Sequence, residues 1–314
     1  MKAPTLSHRL QHLLFMSLST VVRWLPERLT FGLGSVIGWL AGSVFRIRRS
    51  VVEENLARAF PEKDGSWRRR VAAASYRHLA REAIELLRLH RMEREELLRR
   101  CEMVGFELAR AALREGRGVL FLTGHLGNWE LGGAVVAAHG IPLDVVARLQ
   151  TNPLFNRELE RTREGHGMRV IYRQDATRQV LQSLRASRGV ALVADQNVAS
   201  GGVFVDFFGE PAATARGPGL LAMRTGARVL VTMVRRLPGA KARYRMTFTP
   251  LPHPDTGEKG TDIEQFTRGY LGALEEAIKE APEQYFWLHR RWKTRPVEEL
   301  PSLGMVAGRK VEKR

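Results

Sequence analysis

GVLFLTGHLGNWELGG, residues 118–133, is the stretch that decides the fold. Its first five residues form an apolar run bounded by glycine, too short for a helix and suited to a buried strand. The run ends in Thr123-Gly124-His125, with glycines at 124 and 127 as turn signals. Asn128 then opens a helical segment expected over 128–139. A strand, a glycine-flanked turn and a helix in that order place His125 at the carboxyl end of a strand, where α/β proteins keep their ligands. Glu130 lies five residues further on, and on a continuous helix the two side chains would stand about 140° apart. If His125 precedes the first turn, as Gly124 and Gly127 permit, Glu130 can reach back to the ring. In that arrangement Glu130 fixes the imidazole tautomer and His125 takes a proton from a hydroxyl. The helix start beside the ring is expected to favour its neutral form. The competing reading is a buried histidine satisfied by a turn, and the strand, Gly-His, Gly, helix context favours the base.

Outward from this stretch the same alternation continues. Strand-like runs at 143–147, 169–172, 190–194, 203–207, 229–234 and 244–249 are interleaved with helical segments at 153–164, 177–187, 217–225 and 261–279. Residues 68–98, without Pro or Gly and with apolar positions at helical spacing, read as one or two long amphipathic helices. The expectation is an α/β fold, a largely parallel central sheet flanked by helices, as one body over 46–314. Arg148 follows the strand at 143–147, and would lie near His125 if those two strands are neighbours. There it could hold an oxyanion or a phosphate, or be a solvated loop arginine. Asp195 and Gln196 end the strand at 190–194 and would line the same crevice, unless Asp195 is a helix cap. Asn128 is read both as a helix cap and as a site residue. Arg290 and Arg291, with Trp287 and Trp292, form the densest basic–aromatic cluster, expected on the surface at headgroup level.

Composition bounds the function. In 314 residues, 44% are hydrophobic and 26% charged, values that disfavour both wholesale disorder and a multi-span membrane protein. The net charge of +17 draws anionic partners. It is spread along the chain without a nucleic-acid-binding motif, so nucleic acid is not expected. Cys101, the single cysteine, is expected in a helical context away from any strand end. No G-x-S-x-G, Walker or H-E-x-x-H pattern occurs, and no metal site or cofactor is expected. His8 and His12 stand four apart with no third ligand and read as surface residues. The apolar stretches 13–22 and 29–45 each fall short of a comfortable span and are flanked by Lys2, Arg9, Arg46, Arg48 and Arg49. Residues 1–45 are therefore expected to be interfacial helices anchoring the chain to anionic lipid. Gly34, Gly38 and Gly42 line one helix face for close approach by a backbone or a lipid.

HLGNWE at 125–130 resembles the H-x4-D/E motif of the lysophospholipid acyltransferase superfamily, and more closely its bacterial lipid A biosynthesis branch, the Kdo-dependent acyltransferases. The resemblance extends through NLARAFPE at 55–62, Arg148 with Asn152-Pro153, DQN at 195–197, FFGEPAATARGPGLLAMRTGA at 207–227 and QYFWLHRRWK at 284–293. It implies transfer of a fatty acyl chain from an acyl carrier protein thioester to a hydroxyl of a lipid A precursor, without metal or cofactor, at the cytoplasmic face of the bacterial inner membrane. His125 would be the base and Glu130 its partner. The acidic carrier would dock on arginines of the 288–295 segment, Arg290 and Arg291 first. A phosphatidylinositol mannoside or a lysophospholipid is the alternative acceptor. A non-catalytic membrane-peripheral protein is the remaining class, disfavoured by the intact His125 and Glu130.

Overall fold

The computed structural model describes residues 3–296. Lys2 and the 297–314 part of the expected catalytic body lie outside the described residues. Five helices come first: α1 (Leu6–Trp24), α2 (Glu27–Trp39, continued by a π-helical turn over Leu40–Val44), α3 (Arg49–Ala59), α4 (Gly65–Leu89) and α5 (Arg94–Arg100). There follow β1 (Cys101–Val104), α6 (Phe106–Arg114), β2 (Val119–Thr123), α7 (Trp129–Ala138), β3 (Leu143–Ala147) and α8 (Pro153–Gly165). The chain continues with β4 (Arg169–Tyr172), α9 (Ala176–Arg185), β5 (Gly189–Val193), β6 (Gly202–Phe207) and β7 (Glu210–Ala215). It closes with α10 (Gly217–Thr225), β8 (Arg228–Arg236), β9 (Tyr244–Leu251) and α11 (Lys259–Glu280).

Seven strands form one sheet in the order β1-β9-β8-β2-β5-β3-β4, parallel throughout except between β8 and β9. The expected α/β architecture with a mostly parallel sheet is therefore present. Along β2 the side chains divide as a strand buried on both faces must. Leu120 and Leu122 enter the apolar layer shared with α9, α10 and α11, while Val119 and Phe121 enter the layer shared with α6 and α7. Two departures concern strands. Residues 202–207 do not join the sheet but pair with β7 as an antiparallel hairpin packed on α11. Cys101 is not helical: it opens β1 and is buried, and burial, with Glu102 adding, pushes its thiol up to about 12. A thiol held protonated there is no nucleophile at neutral pH.

The glycine face of α2 meets the chain's own helix α4. A Cβ on Gly38 would stand 2.4 Å from Arg77 Cα, and one on Gly34 2.9 Å from Arg81 Cα. On Gly42 it would be 2.5 Å from the Tyr76 ring. The stripe thus serves close helix–helix contact inside the molecule, the backbone option of the two foreseen. No helix among the described residues is singly long and apolar enough to cross a membrane; Glu27–Val44 and Arg49–Ala59 pass only together, bent by 92°. The apolar side chains facing away from α4 are well exposed: Leu6, Leu14, Trp24, Leu29 and Phe45 among them.

Candidate active site

Parallel pairing of β2 with β5 builds the site. Their register places Thr123 beside Val193, so residues two positions beyond each strand end, His125 and Asp195, are carried to the same place. His125 Nδ1 lies 2.6 Å from Asp195 Oδ1, and the His125 backbone N–H donates to Asp195 Oδ2 at 2.9 Å. Asp195 is 1% exposed. Burial works to raise its pKa, but the His125 charge and these hydrogen bonds outweigh it and hold the carboxyl down at about 2. Burial likewise works against a charged His125, yet Asp195, with a further contribution from Glu130, raises the imidazole above its ordinary value. The neutral-favouring effect expected of the helix start is overridden by an ion pair in a low-dielectric setting. With an ionised acceptor at Nδ1, the neutral ring carries its proton there and its lone pair at Nε2. Gln196 Nε2 is 3.3 Å from that atom.

Glu130 is not the hydrogen-bond partner of His125. It accepts two bonds from Arg163 of α8, from Nε at 3.0 Å and Nη2 at 2.5 Å. The expected carboxylate–imidazole contact is made by Asp195 because β5 delivers it straight to Nδ1, whereas Glu130 sits in the first turn of α7, facing α8. Arg163 was not singled out from the sequence. Nothing in the run ERTREG at 160–165 distinguishes it from its neighbour Arg161, and only the packing of α8 against α7 brings it to Glu130.

Asn128 has the capping role of its two readings. Its Oδ1 accepts from Leu131 N at 2.9 Å and its Nδ2 donates to Glu82 Oε2 at 2.8 Å, so the buried amide is held on both sides where it borders the crevice. Glu82 in turn binds Arg236 at 3.0 Å and the Tyr244 hydroxyl at 2.7 Å, anchoring α4 against the base of α7. Arg148 follows β3, but β5 lies between β3 and β2, so the two strands are not neighbours and the arginine is solvent-exposed.

The block at 284–293 is interior. Gln284 O accepts from Gly127 N at 3.0 Å, and Phe286 N donates to His125 O at 3.0 Å, so this segment straps the turn that carries His125. A Cβ on Gly127, where φ is +60°, would overlap Val234 O at 1.7 Å, which explains the glycine. Trp287 and Trp292 are buried, and Arg291 is 1% exposed, donating to Ala213 O at 2.8 Å and Thr214 Oγ1 at 2.5 Å. The expected surface cluster is thereby corrected: Arg291 cannot meet a carrier protein, and only Arg290 of the pair is exposed. The strap is tied to α3 by Asn55, whose amide donates to Trp287 O at 2.7 Å and His289 O at 2.6 Å.

Beside His125 opens a cavity lined mainly by apolar side chains, with Leu79, Ala83 and Leu86 from α4, Trp129 from α7 and Phe286 from the strap. Glu130 and the buried His78 also border it. Trp129 stacks edge-on to the His125 ring at 4.8 Å between centroids. No group of three metal-ligating side chains occurs among the described residues.

Fold and site together define an α/β protein with a hydrogen-bonded His–Asp pair at a strand-end crevice, next to an apolar cavity. A family model described as bacterial lipid A biosynthesis acyltransferase matches residues 3–294, and the chain belongs to that family. It is similar to the lipid A biosynthesis palmitoleoyltransferase of Escherichia coli (strain K12), 30% identical over 278 residues and 88% of each chain. The lipid A biosynthesis lauroyltransferase of the same organism is 29% identical over 280 residues, 88% of this chain and 89% of the relative. A phosphatidylinositol mannoside acyltransferase of Mycobacterium tuberculosis (strain CDC 1551 / Oshkosh) is 34% identical over 188 residues, 58% of this chain and 59% of the relative. The chain is accordingly an O-acyltransferase of the lipid A biosynthesis family.

Proposed function

We propose that this enzyme moves a fatty acyl chain from an acyl-carrier-protein thioester to a hydroxyl of a lipid A precursor, with His125 as general base. The observation that carries the reading is the 2.6 Å His125–Asp195 bond beside an apolar cavity. His125 Nε2 takes the acceptor's hydroxyl proton as the oxygen attacks the thioester carbonyl carbon. The C–O bond forms, the tetrahedral intermediate collapses with loss of the C–S bond, and the imidazolium returns its proton to the departing thiolate. Asp195 orients the ring and stabilises the imidazolium that forms. Glu130 acts at one remove, adding negative field and holding Arg163 at the rim.

The exposed apolar face of α1 and α2 suits the headgroup–acyl boundary of a membrane, and the chain's net charge of +17 suits an anionic leaflet. Residues 1–45 serve as that interfacial anchor and 46–314 as the catalytic body, at the cytoplasmic face of the inner membrane. Arg290 contributes to steering an acidic carrier. The similarity to a phosphatidylinositol mannoside acyltransferase supports one second reading, with a mannolipid as acceptor.

The test incubates purified protein with acyl-carrier-protein or coenzyme A thioesters and a tetraacylated lipid A precursor, a phosphatidylinositol mannoside or a lysophospholipid, and weighs the products. The precursor gaining one acyl group from the carrier donor is expected. Exclusive acylation of either other acceptor would replace the lipid A reading.

A further inference from the structure

The cavity beside His125 runs along α4 and stops at Leu86. On the other side of that residue lies a second, open cavity, lined chiefly by α1, α4 and α8. Leu86 is the one side chain that lines both. Helical spacing explains the hand-over: Leu79, Ala83 and Leu86 stand on one face of α4, and Leu86 with Leu87 and His90 turns onto the face towards α1. Phe15 of α1, Leu159 of α8 and Met92 give the second cavity an apolar part. The rest of its lining mixes Met16 and Leu87 with polar and charged groups, Arg23 and Arg91 included. A hydrocarbon reaching it would lie against the apolar side chains and away from the charged ones, whose burial without partners is costly.

We infer that Leu86 is the end stop that sets acyl-chain length in this enzyme, closing the active-site cavity against the second one. This rests on the acyl-transfer reading above. A chain whose thioester carbonyl sits at His125 runs along the Leu79–Leu86 face of α4, and its terminal methyl meets Leu86. Trimming Leu86 joins the cavities and admits more methylenes. Enlarging it shortens the space. Helix α1 thereby becomes the outer wall of the longer compartment, and so acts on substrate choice as well as on membrane contact.

The experiment is a competition among dodecanoyl, tetradecanoyl, hexadecanoyl and octadecanoyl thioesters, with product ratios read by mass and thermal melting recorded for each variant. Leu86→Ala should move the optimum to a longer chain, and Leu86→Phe to a shorter one. Each shift of two methylenes should change the preference about fifteenfold, since a buried methylene is worth roughly fourfold in binding. Met16→Trp, which fills the second cavity from α1, should reverse the lengthening when combined with Leu86→Ala. Leu79→Ala widens the first cavity at its side and not at its end, so it should lower turnover with every thioester alike and leave the optimum in place. If Leu86→Ala fails to fold, the Leu86→Phe profile decides alone. An unmoved optimum in folded Leu86 variants, or the same shift in Leu79→Ala, overturns the end-stop role while leaving acyl transfer intact. Absence of transfer by the wild type with every thioester would instead strike the reading beneath it.

Discussion

The floor and the rim of the active site each place a carboxylate near His125, and they do so differently. On the floor, Asp195 is 1% exposed and bonded to both the ring and the backbone of His125. At the rim, the Glu130 and Arg163 side chains are 18% and 14% exposed, and Glu130 spends its oxygens on that arginine. A buried acceptor at Nδ1 controls the proton inventory of the imidazole. A rim pair, joined to solvent and to a neighbouring helix, controls position and field. The difference teaches that proximity in sequence to His125 does not decide which carboxylate bonds its ring.

The largest effect is expected where floor and rim have no separate roles: His125→Ala should lower kcat/KM by up to about 10⁴-fold while far-ultraviolet circular dichroism stays unchanged. Near wild-type turnover in that variant would remove the base from the mechanism. Asp195→Asn comes next, with a loss of about a hundredfold or more. It also carries a pH signature. Asp195 raises the imidazole above its ordinary value, so the free base, and with it kcat/KM, should grow through a midpoint above about 6.5 in the wild type. In Asp195→Asn that support is gone, burial still disfavours the charged ring, and the midpoint should fall. The linked stability runs in opposite senses for the two groups. The Asp195 contribution is present above its unfolded value and is lost as pH falls through about 2. That of His125 is full below its unfolded value and is lost as pH rises through the raised folded one. An unchanged midpoint in Asp195→Asn would mean that the rim carboxylate sets the imidazole.

Glu130→Gln and Arg163→Gln should each cost about tenfold, and the double variant little more than either alone, since both break one pair. Coupling energy measured by that cycle sharpens the comparison, and strict additivity would separate the two residues. The smallest kinetic effect belongs to Arg290→Glu, expected to raise KM for a carrier-protein donor a few-fold at low salt and not at high salt. Its neighbour makes the contrast. Arg291→Gln should lower the melting temperature through loss of buried charge-assisted hydrogen bonds, about 2–3 kcal/mol, with donor preference unaltered.

The middle of the chain was legible because short apolar runs ending in glycine turns leave few alternatives to βα units. The strand at 143–147 and the helix at 217–225 lie where their patterns put them. The pattern failed where it is intrinsically ambiguous. Residues 101–104 carry three apolar side chains and one acidic one, and become a strand only because β9 offers a parallel partner. Residues 203–207 read as one more strand, and nothing local says that 210–215 will pair with them instead of the main sheet. The cluster at 287–293 was misplaced for a related reason. Trp and Arg beside one another describe a membrane interface and a buried cation–aromatic contact equally well, and Arg291 stands 5.2 Å from the Phe207 ring.

By itself the sequence determined the α/β class, the strand-end position of His125 and the family, because these follow from local periodicity, glycine turns and ordered motif blocks. Only the tertiary structure decided that Asp195 and not Glu130 bonds the imidazole. Strand order and register are non-local: β2 and β5 are separated by 65 residues between their ends and meet through the sheet alone, with Thr123 opposite Val193. The same holds for the burial of Arg291, the paired glycines of α2, and the meeting of two cavities at Leu86. Each depends on which surface the packing of helices and sheet happens to cover, and the free energy that chooses it is summed over the whole core.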